Sequence, residues 1–190
     1  MMNVFSIFLA TFLSDNYILS RLLGIYPAIN VQKKEISLLL EGILVTIAMI
    51  LLSILSYSLH TWVLEPLDVS YLAIMGLPLL LFVITQFIVF FSKKMGKDNI
   101  DITVGHIIAN SAVLAVVFFS IEQESSTLLS WAGNALGAGA GYTLVSILLS
   151  DIIGTIDEKL IVPIFKGLPL QLITLGLMAY AFWGFCCLMP

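Results

Sequence analysis

Polar and charged side chains interrupt two otherwise apolar stretches of the sequence. Ser14, Asp15 and Asn16 lie in the first, and Asn110 and Ser111 lie in another that begins just past the middle of the chain. Such groups are costly inside a membrane and usually mark an ion path or a paired site. Asp15, Asn16 and Asn110 are therefore candidate ion-path residues. The alternative for the amide and hydroxyl groups is that they only join helices through hydrogen bonds.

The composition excludes several classes of protein. Of the 190 residues, 60% are hydrophobic and 11% are charged, whereas a soluble domain carries about 25% charged residues. The net charge is −4, and no basic cluster could follow a phosphate backbone, so nucleic-acid binding is not expected. No Ser-His-Asp set or catalytic carboxylate pair can be assembled, so the chain is at most a non-catalytic subunit of an enzyme. Adjacent Cys186 and Cys187 lack the spacing of a metal site, and none is expected.

Six apolar stretches are close to the ~20 residues that a helix needs to cross a bilayer. They are residues 3–25, 42–59, 69–92, 102–121, 125–150 and 167–190. Spans 1 and 4 contain the polar interruptions, and helix breaks persist at membrane depth only where they line a cavity or are buried in protein. The sequence therefore predicts an all-α membrane protein with six transmembrane helices, of which spans 1 and 4 are interrupted.

The distribution of basic residues predicts the orientation of the chain. All eight Lys and Arg residues lie at the end of span 1 or in the loops after spans 1, 3 and 5. Because basic loops are retained on the cytoplasmic side, both termini are expected outside. Trp62, Trp131 and Trp183 then fall at the outer interface, as in an aromatic belt. We predict a multi-pass protein of the bacterial cytoplasmic (inner) membrane that contacts the lipid bilayer.

The two halves of the chain echo each other. Residues 15–19 resemble 110–114, Thr46 with 50–53 recurs as Thr143 with 147–150, and GLPL recurs at 76–79 and 167–170. Each half holds three spans, an odd number, so the second half must run inverted relative to the first. We predict a single integral membrane domain, 1–190, built from repeats of about 1–98 and 99–190. Functional groups are expected where spans 1 and 4 meet.

Small residues line one span of the second repeat. Gly133, Gly137, Gly139 and Gly141, with the alanines between them, leave little side-chain volume on span 5. Small residues let helix backbones approach closely in membranes. The pattern predicts close helix packing.

Several segments resemble the six-span membrane subunits of the Rnf and Nqr complexes, most closely the RnfA and NqrE branch of that family. The resemblance runs from about residue 8 to 188, and it is carried by LGIYP at 23–27, VQKK at 31–34, ANSAVL at 109–114, LITLGLM at 172–178 and FWGF at 182–185. It implies an inverted repeat and termini that face outward. It also implies a homologous, oppositely oriented partner subunit in a complex that moves electrons between ferredoxin or NADH and another acceptor while translocating Na⁺ or H⁺.

The resemblance also implies a cofactor position that this chain alters. Family members hold a [2Fe-2S] cluster with cysteines from two paired subunits, and the corresponding positions here are Tyr26 and Ser111. A phenol or an alcohol is a hard, mostly protonated oxygen donor and a poor substitute for thiolate. No cofactor is therefore expected from this chain alone.

Three functions are compatible with these features. The first is a membrane subunit of an Rnf-like ion-translocating electron transport complex, which forms a pseudo-symmetric core with its oppositely oriented sibling. The second is a divergent relative that acts as a small-molecule transporter or a substrate-binding membrane component without a redox role. The third is a purely structural subunit, in which Asp15, Asn110 and Ser111 could be replaced without loss of activity.

Overall fold

The chain folds into helices wherever its structure, a computed structural model, describes it: residues 4–25, 35–94, 110–122, 127–157 and 161–186. In chain order these helices are α1 Val4–Leu9, α2 Tyr17–Arg21, α3 Glu35–Leu59, α4 Ala73–Lys94, α5 Ser111–Glu122, α6 Leu128–Thr155 and α7 Leu168–Cys186. A π-helical turn, Ala10–Ser14, extends α1, and a second, His60–Leu64, extends α3. The predicted all-α class is confirmed for these ranges.

Three helical segments in the described ranges are long and apolar enough to cross a membrane. They are Leu38–Leu64, Leu128–Thr155 and Leu168–Phe185, and shorter apolar helices cover Val4–Ser14, Met75–Phe87 and Ser111–Glu122. This pattern agrees with a multi-pass membrane protein. Six complete spans stay a prediction, because 101–109, which belong to the predicted fourth span, lie outside the described residues.

Helices α3 and α6 form the most extensive helix pair among the described elements. A Cβ atom added to Gly42 would collide with Thr143, and one added to Gly139 would lie 2.6 Å from the Thr46 side chain. Each threonine also donates its hydroxyl to the glycine one turn earlier on its own helix, Thr46 to Gly42 O at 2.7 Å and Thr143 to Gly139 O at 2.8 Å. The two Gly-x-x-x-Thr segments therefore exchange identical contacts, as two inverted repeats would. The complete repeat stays a prediction.

A second glycine face of α6 lies against the first span. Cβ atoms built on three glycines spaced four residues apart would lie within 3 Å of Val4, Phe8 and Asn16. These glycines are Gly133, Gly137 and Gly141. The close packing predicted for span 5 is thus confirmed, and it serves two neighbouring helices.

Trp131 differs from the sequence expectation. Trp62 and Trp183 are 78% and 71% exposed, as belt residues would be, whereas Trp131 is 3% exposed. Its ring packs edge-on against Tyr57 at 5.5 Å between centroids, and its carbonyl accepts the Ser53 hydroxyl at 3.1 Å. Trp131 is part of the α3–α6 contact rather than of an exposed aromatic belt, because it lies on the inner face of α6.

Asn134 joins three segments of the chain in the protein interior. Its Oδ1 lies 2.9 Å from the Thr11 hydroxyl and 3.1 Å from the Tyr17 hydroxyl, both donors. Its Nδ2 donates to Ser120 Oγ at 2.9 Å. One buried amide thereby holds both parts of the first span and α5 against α6.

Replacing Asn134 with leucine should destabilise the chain by roughly 2–4 kcal/mol, because the substitution strands buried hydroxyl groups on three helical segments. Thermal unfolding of the detergent-purified protein, followed by tryptophan fluorescence, measures this change. Leu136→Ala, on the exposed side of the same helix, is the control and should have a small effect. Equal losses in the two variants would show that the hydrogen bonds of Asn134 contribute little.

Candidate functional site at the helix breaks

The first span is broken at the place that the sequence predicts. After the π-helical turn, Asp15 leaves helical geometry (φ −108°, ψ 47°) and Asn16 is extended (φ −64°, ψ 119°). The Asn16 side chain then caps α2, since its Oδ1 accepts the Ile18 N–H at 3.1 Å. Asparagine is among the preferred residues for this role because its amide oxygen satisfies a donor that the helix cannot. Asn16 is 1% exposed, so the break is buried in protein.

Asn110 plays the same part at the start of α5. Its Oδ1 accepts the Ala112 N–H at 3.0 Å, and the residue is fully buried. The residues with equivalent roles are therefore Asn16 and Asn110, whereas the sequence echo aligned Asp15 with Asn110. The echo is displaced by one residue because capping geometry, which the sequence comparison did not weigh, sets the correspondence.

The two broken segments meet at Gly24 and Ser111. The Gly24 N–H donates to Ser111 Oγ at 2.9 Å. Gly24 has a φ of +73°, and a Cβ added there would lie 2.5 Å from Asn110 Oδ1. Tyr26 lies outside the described residues. The structure thus brings Ser111 against the segment that immediately precedes Tyr26.

Asp15 and Arg21 form an ion pair across the break. Arg21 Nη2 lies 3.0 Å from Asp15 Oδ2, and its Nε lies 3.3 Å from Oδ1. The Ser20 hydroxyl also donates to Asp15, and the guanidinium lies 3.8 Å above the Phe119 ring centroid. On a regular helix the two charged residues would point apart, so their contact is a consequence of the break. Asp15 is therefore a paired carboxylate, and both side chains are more than a third exposed.

Asn110 carries a buried donor that the described part of the chain leaves without a partner. Its Oδ1 caps α5, but its Nδ2 has no hydrogen-bond acceptor there. An unsatisfied buried amide group costs about 1–3 kcal/mol. Such a cost is typical of a functional position rather than of ordinary packing.

Glu41 is a buried carboxyl that the sequence analysis passed over. It is 5% exposed, and it lies inside the apolar segment Leu38–Leu64, although the predicted span began after it. The signal was its helical spacing, since Glu41 shares a face with the buried residues Leu38, Val45 and Ala48. Treating every charge as the end of a span hid this residue.

The donors at the meeting point do not suit an iron–sulfur cluster. Ser111 offers a hydroxyl that already accepts the Gly24 N–H, and clusters require thiolate or occasionally imidazole. Within the described ranges, no group of three or more His, Cys, Asp or Glu side chains could hold a metal ion. The chemistry of this donor set therefore disagrees with the cofactor that the resemblance implies.

A family model described as "Rnf-Nqr subunit, membrane protein" matches residues 4–189. The chain belongs to the Rnf-Nqr membrane subunit family. Among the relatives of this family member is a subunit of the Na⁺-translocating ferredoxin:NAD⁺ oxidoreductase complex of Acetobacterium woodii, which is 30% identical with 97% of each chain covered.

Relatives named as subunits of an ion-translocating oxidoreductase complex match over the same length. The protein from Photorhabdus laumondii is 34% identical, with 97% of each chain covered. That from Cereibacter sphaeroides is 31% identical, with 98% of this chain and 97% of its own covered. The similarity thus extends over both broken segments of this Rnf-Nqr chain.

Proposed function

We propose that this chain is a membrane subunit of an Rnf-type ion-translocating oxidoreductase complex, and that its two capped helix breaks line the ion path. The family match and the names of the relatives support the complex. The observation that carries the local role is the Gly24–Ser111 hydrogen bond, which joins the two breaks. Asp15, Asn16, Asn110 and Ser111 are the polar residues around this junction.

The lengths of the helices favour a junction near the bilayer midplane. α5 has 12 residues, and at about 1.5 Å per residue it spans roughly 18 Å, little more than half of the ~30 Å hydrocarbon core. Asn16 packs against Gly141, which lies at the middle of the 28-residue α6. Six spans in two inverted repeats, with both termini outside the bacterial inner membrane, are the topology that fits this arrangement.

A partner subunit would cover the Asp15–Arg21 pair. Both side chains of the pair are more than a third exposed on this chain, and charged groups are costly against lipid. An oppositely oriented homologous subunit, together with other Rnf/Nqr-type subunits, would give this face a protein environment. Since Tyr26 and Ser111 are oxygen donors, we propose that this chain contributes the ion path and the core of the complex without holding a [2Fe-2S] cluster itself.

Purification of the tagged chain from its own membranes tests this proposal. We expect Rnf-type subunits, including a homologous membrane subunit, to co-purify in stoichiometric amounts, because the exposed ion pair and the unsatisfied Asn110 donor need a partner. A chain that is stable and active alone would contradict it. A small molecule retained by the isolated chain would instead favour a transporter or a substrate-binding component.

A further inference from the structure

Glu41 lies at the level where α3 crosses α6. The next residue, Gly42, packs on Thr143, and Gly139 packs on Thr46 one turn further along. The Glu41 carboxyl is within electrostatic reach of Tyr142, which is 3% exposed. A carboxyl group therefore lies in the tightest helix contact of the described fold.

The same level of α6 contacts the broken first span on its other side. Asn16 Nδ2 lies 2.6 Å from a Cβ built on Gly141, and Tyr142 is the next residue of α6. Gly141 and Tyr142 occupy the middle of the helix Leu128–Thr155. One helical turn thus separates Asn16 from Glu41 at mid-depth of the longest helix.

The charged surroundings of Glu41 are simple in the described ranges. The titratable group that faces it from α6 is Tyr142, and the next one on that helix, Asp151, is exposed. α4 has no titratable residue over 73–87, and α5 has Glu122 at its far, exposed end. A carboxyl group in such a place is expensive when ionised, so it favours a bound proton or another small cation.

We propose that the Glu41 carboxyl takes up and releases the monovalent cation that this chain moves, with Tyr142 and Thr143 as neighbouring oxygen groups. The inference rests on the proposed function and deepens it by naming the exchanging group. Binding and release change no covalent bond apart from the O–H bond when the cation is a proton. Asn16, on the other side of the same α6 turn, places the helix break beside this group.

Glu41→Gln in the purified complex, reconstituted into lipid vesicles, is the decisive test. Glutamine keeps the size and hydrogen-bonding capacity of the side chain but carries no exchangeable charge. We expect the initial rate of ion uptake per electron transferred to fall by at least about tenfold, while the amount of assembled complex is unchanged. Uptake of radioactive sodium and acidification reported by a pH-sensitive dye, measured in parallel, show whether the cation is Na⁺ or H⁺.

Glu65→Gln is the matched control, because Glu65 follows the π-helical extension of α3 and its side chain is 56% exposed. Wild-type uptake per electron in the Glu41→Gln complex would overturn the inference and leave the proposed function intact. Failure of the wild-type complex to move any ion would instead overturn the proposed function. If Glu41→Gln does not assemble, Glu41→Asp decides: a shifted pH or sodium dependence supports the inference, and an unchanged dependence overturns it.

Discussion

Replacing Gly24 with alanine should destabilise the protein by about 3 kcal/mol or more, because the new methyl group has neither an allowed backbone nor free space. Gly24 has a φ of +73°, and its Cβ would lie 2.5 Å from Asn110 Oδ1 and 2.9 Å from the Ala112 Cβ. The side chain that caps α5 would have to move. Thermal unfolding in detergent and the recovery of monodisperse protein measure the loss.

Gly167→Ala separates the two causes of that loss. Gly167 has nearly the same φ, +74°, but no atom lies within 4 Å of its hypothetical Cβ. Its replacement should cost only about 1 kcal/mol, the backbone contribution. Similar losses at both positions would mean that the contact between Gly24 and Asn110 is unimportant for the fold.

Replacing Gly139 with valine should have a comparable effect, about 3 kcal/mol or more, by forcing α3 and α6 apart. The added Cβ would lie 2.6 Å from Thr46 side-chain atoms and 2.8 Å from the Thr46 Cα. The Cα belongs to the backbone, so a rotamer change cannot relieve the collision. We expect lower yield and earlier thermal unfolding.

The control for this substitution lies on the same helix. Gly154 has no atom within 4 Å of a hypothetical Cβ, so Gly154→Val changes helix propensity without touching a neighbour. It should leave the unfolding temperature nearly unchanged. A large effect at Gly154 would show that valine disturbs α6 itself, and the result at Gly139 could not then be assigned to the helix crossing.

Sequence reasoning located the elements better than their contacts. Apolar length and the polar residues at 14–16 were enough to predict a broken first span, because hydrocarbon imposes strong rules on backbone and charge. The ion pair between Asp15 and Arg21 was not foreseen, since regular helical geometry places the two side chains apart. The local bend that joins them depends on the cap by Asn16, which acts through space rather than through hydropathy.

Burial inside the bundle was the other missing information. Trp131 and Glu41 were both assigned to the edge of a span by their residue type, yet both are buried between α3 and α6. A hydropathy window averages over all faces of a helix, so it cannot distinguish the face that meets another helix from the face that meets lipid. Helical spacing would have placed Glu41 on the packed face, whereas no comparable signal indicated the unsatisfied Nδ2 of Asn110.

The shortness of α5 has a consequence for membrane voltage. If one end of this 12-residue helix lies at the outer surface, an ion that arrives at Asn110 has crossed about half of the membrane's thickness. A full crossing is worth about 2.3 kcal/mol per elementary charge at 100 mV, so each half-crossing carries about half of that work. Entry and exit would then respond to the cell's electrical potential to a similar degree, and neither step alone would carry the whole voltage dependence of transport.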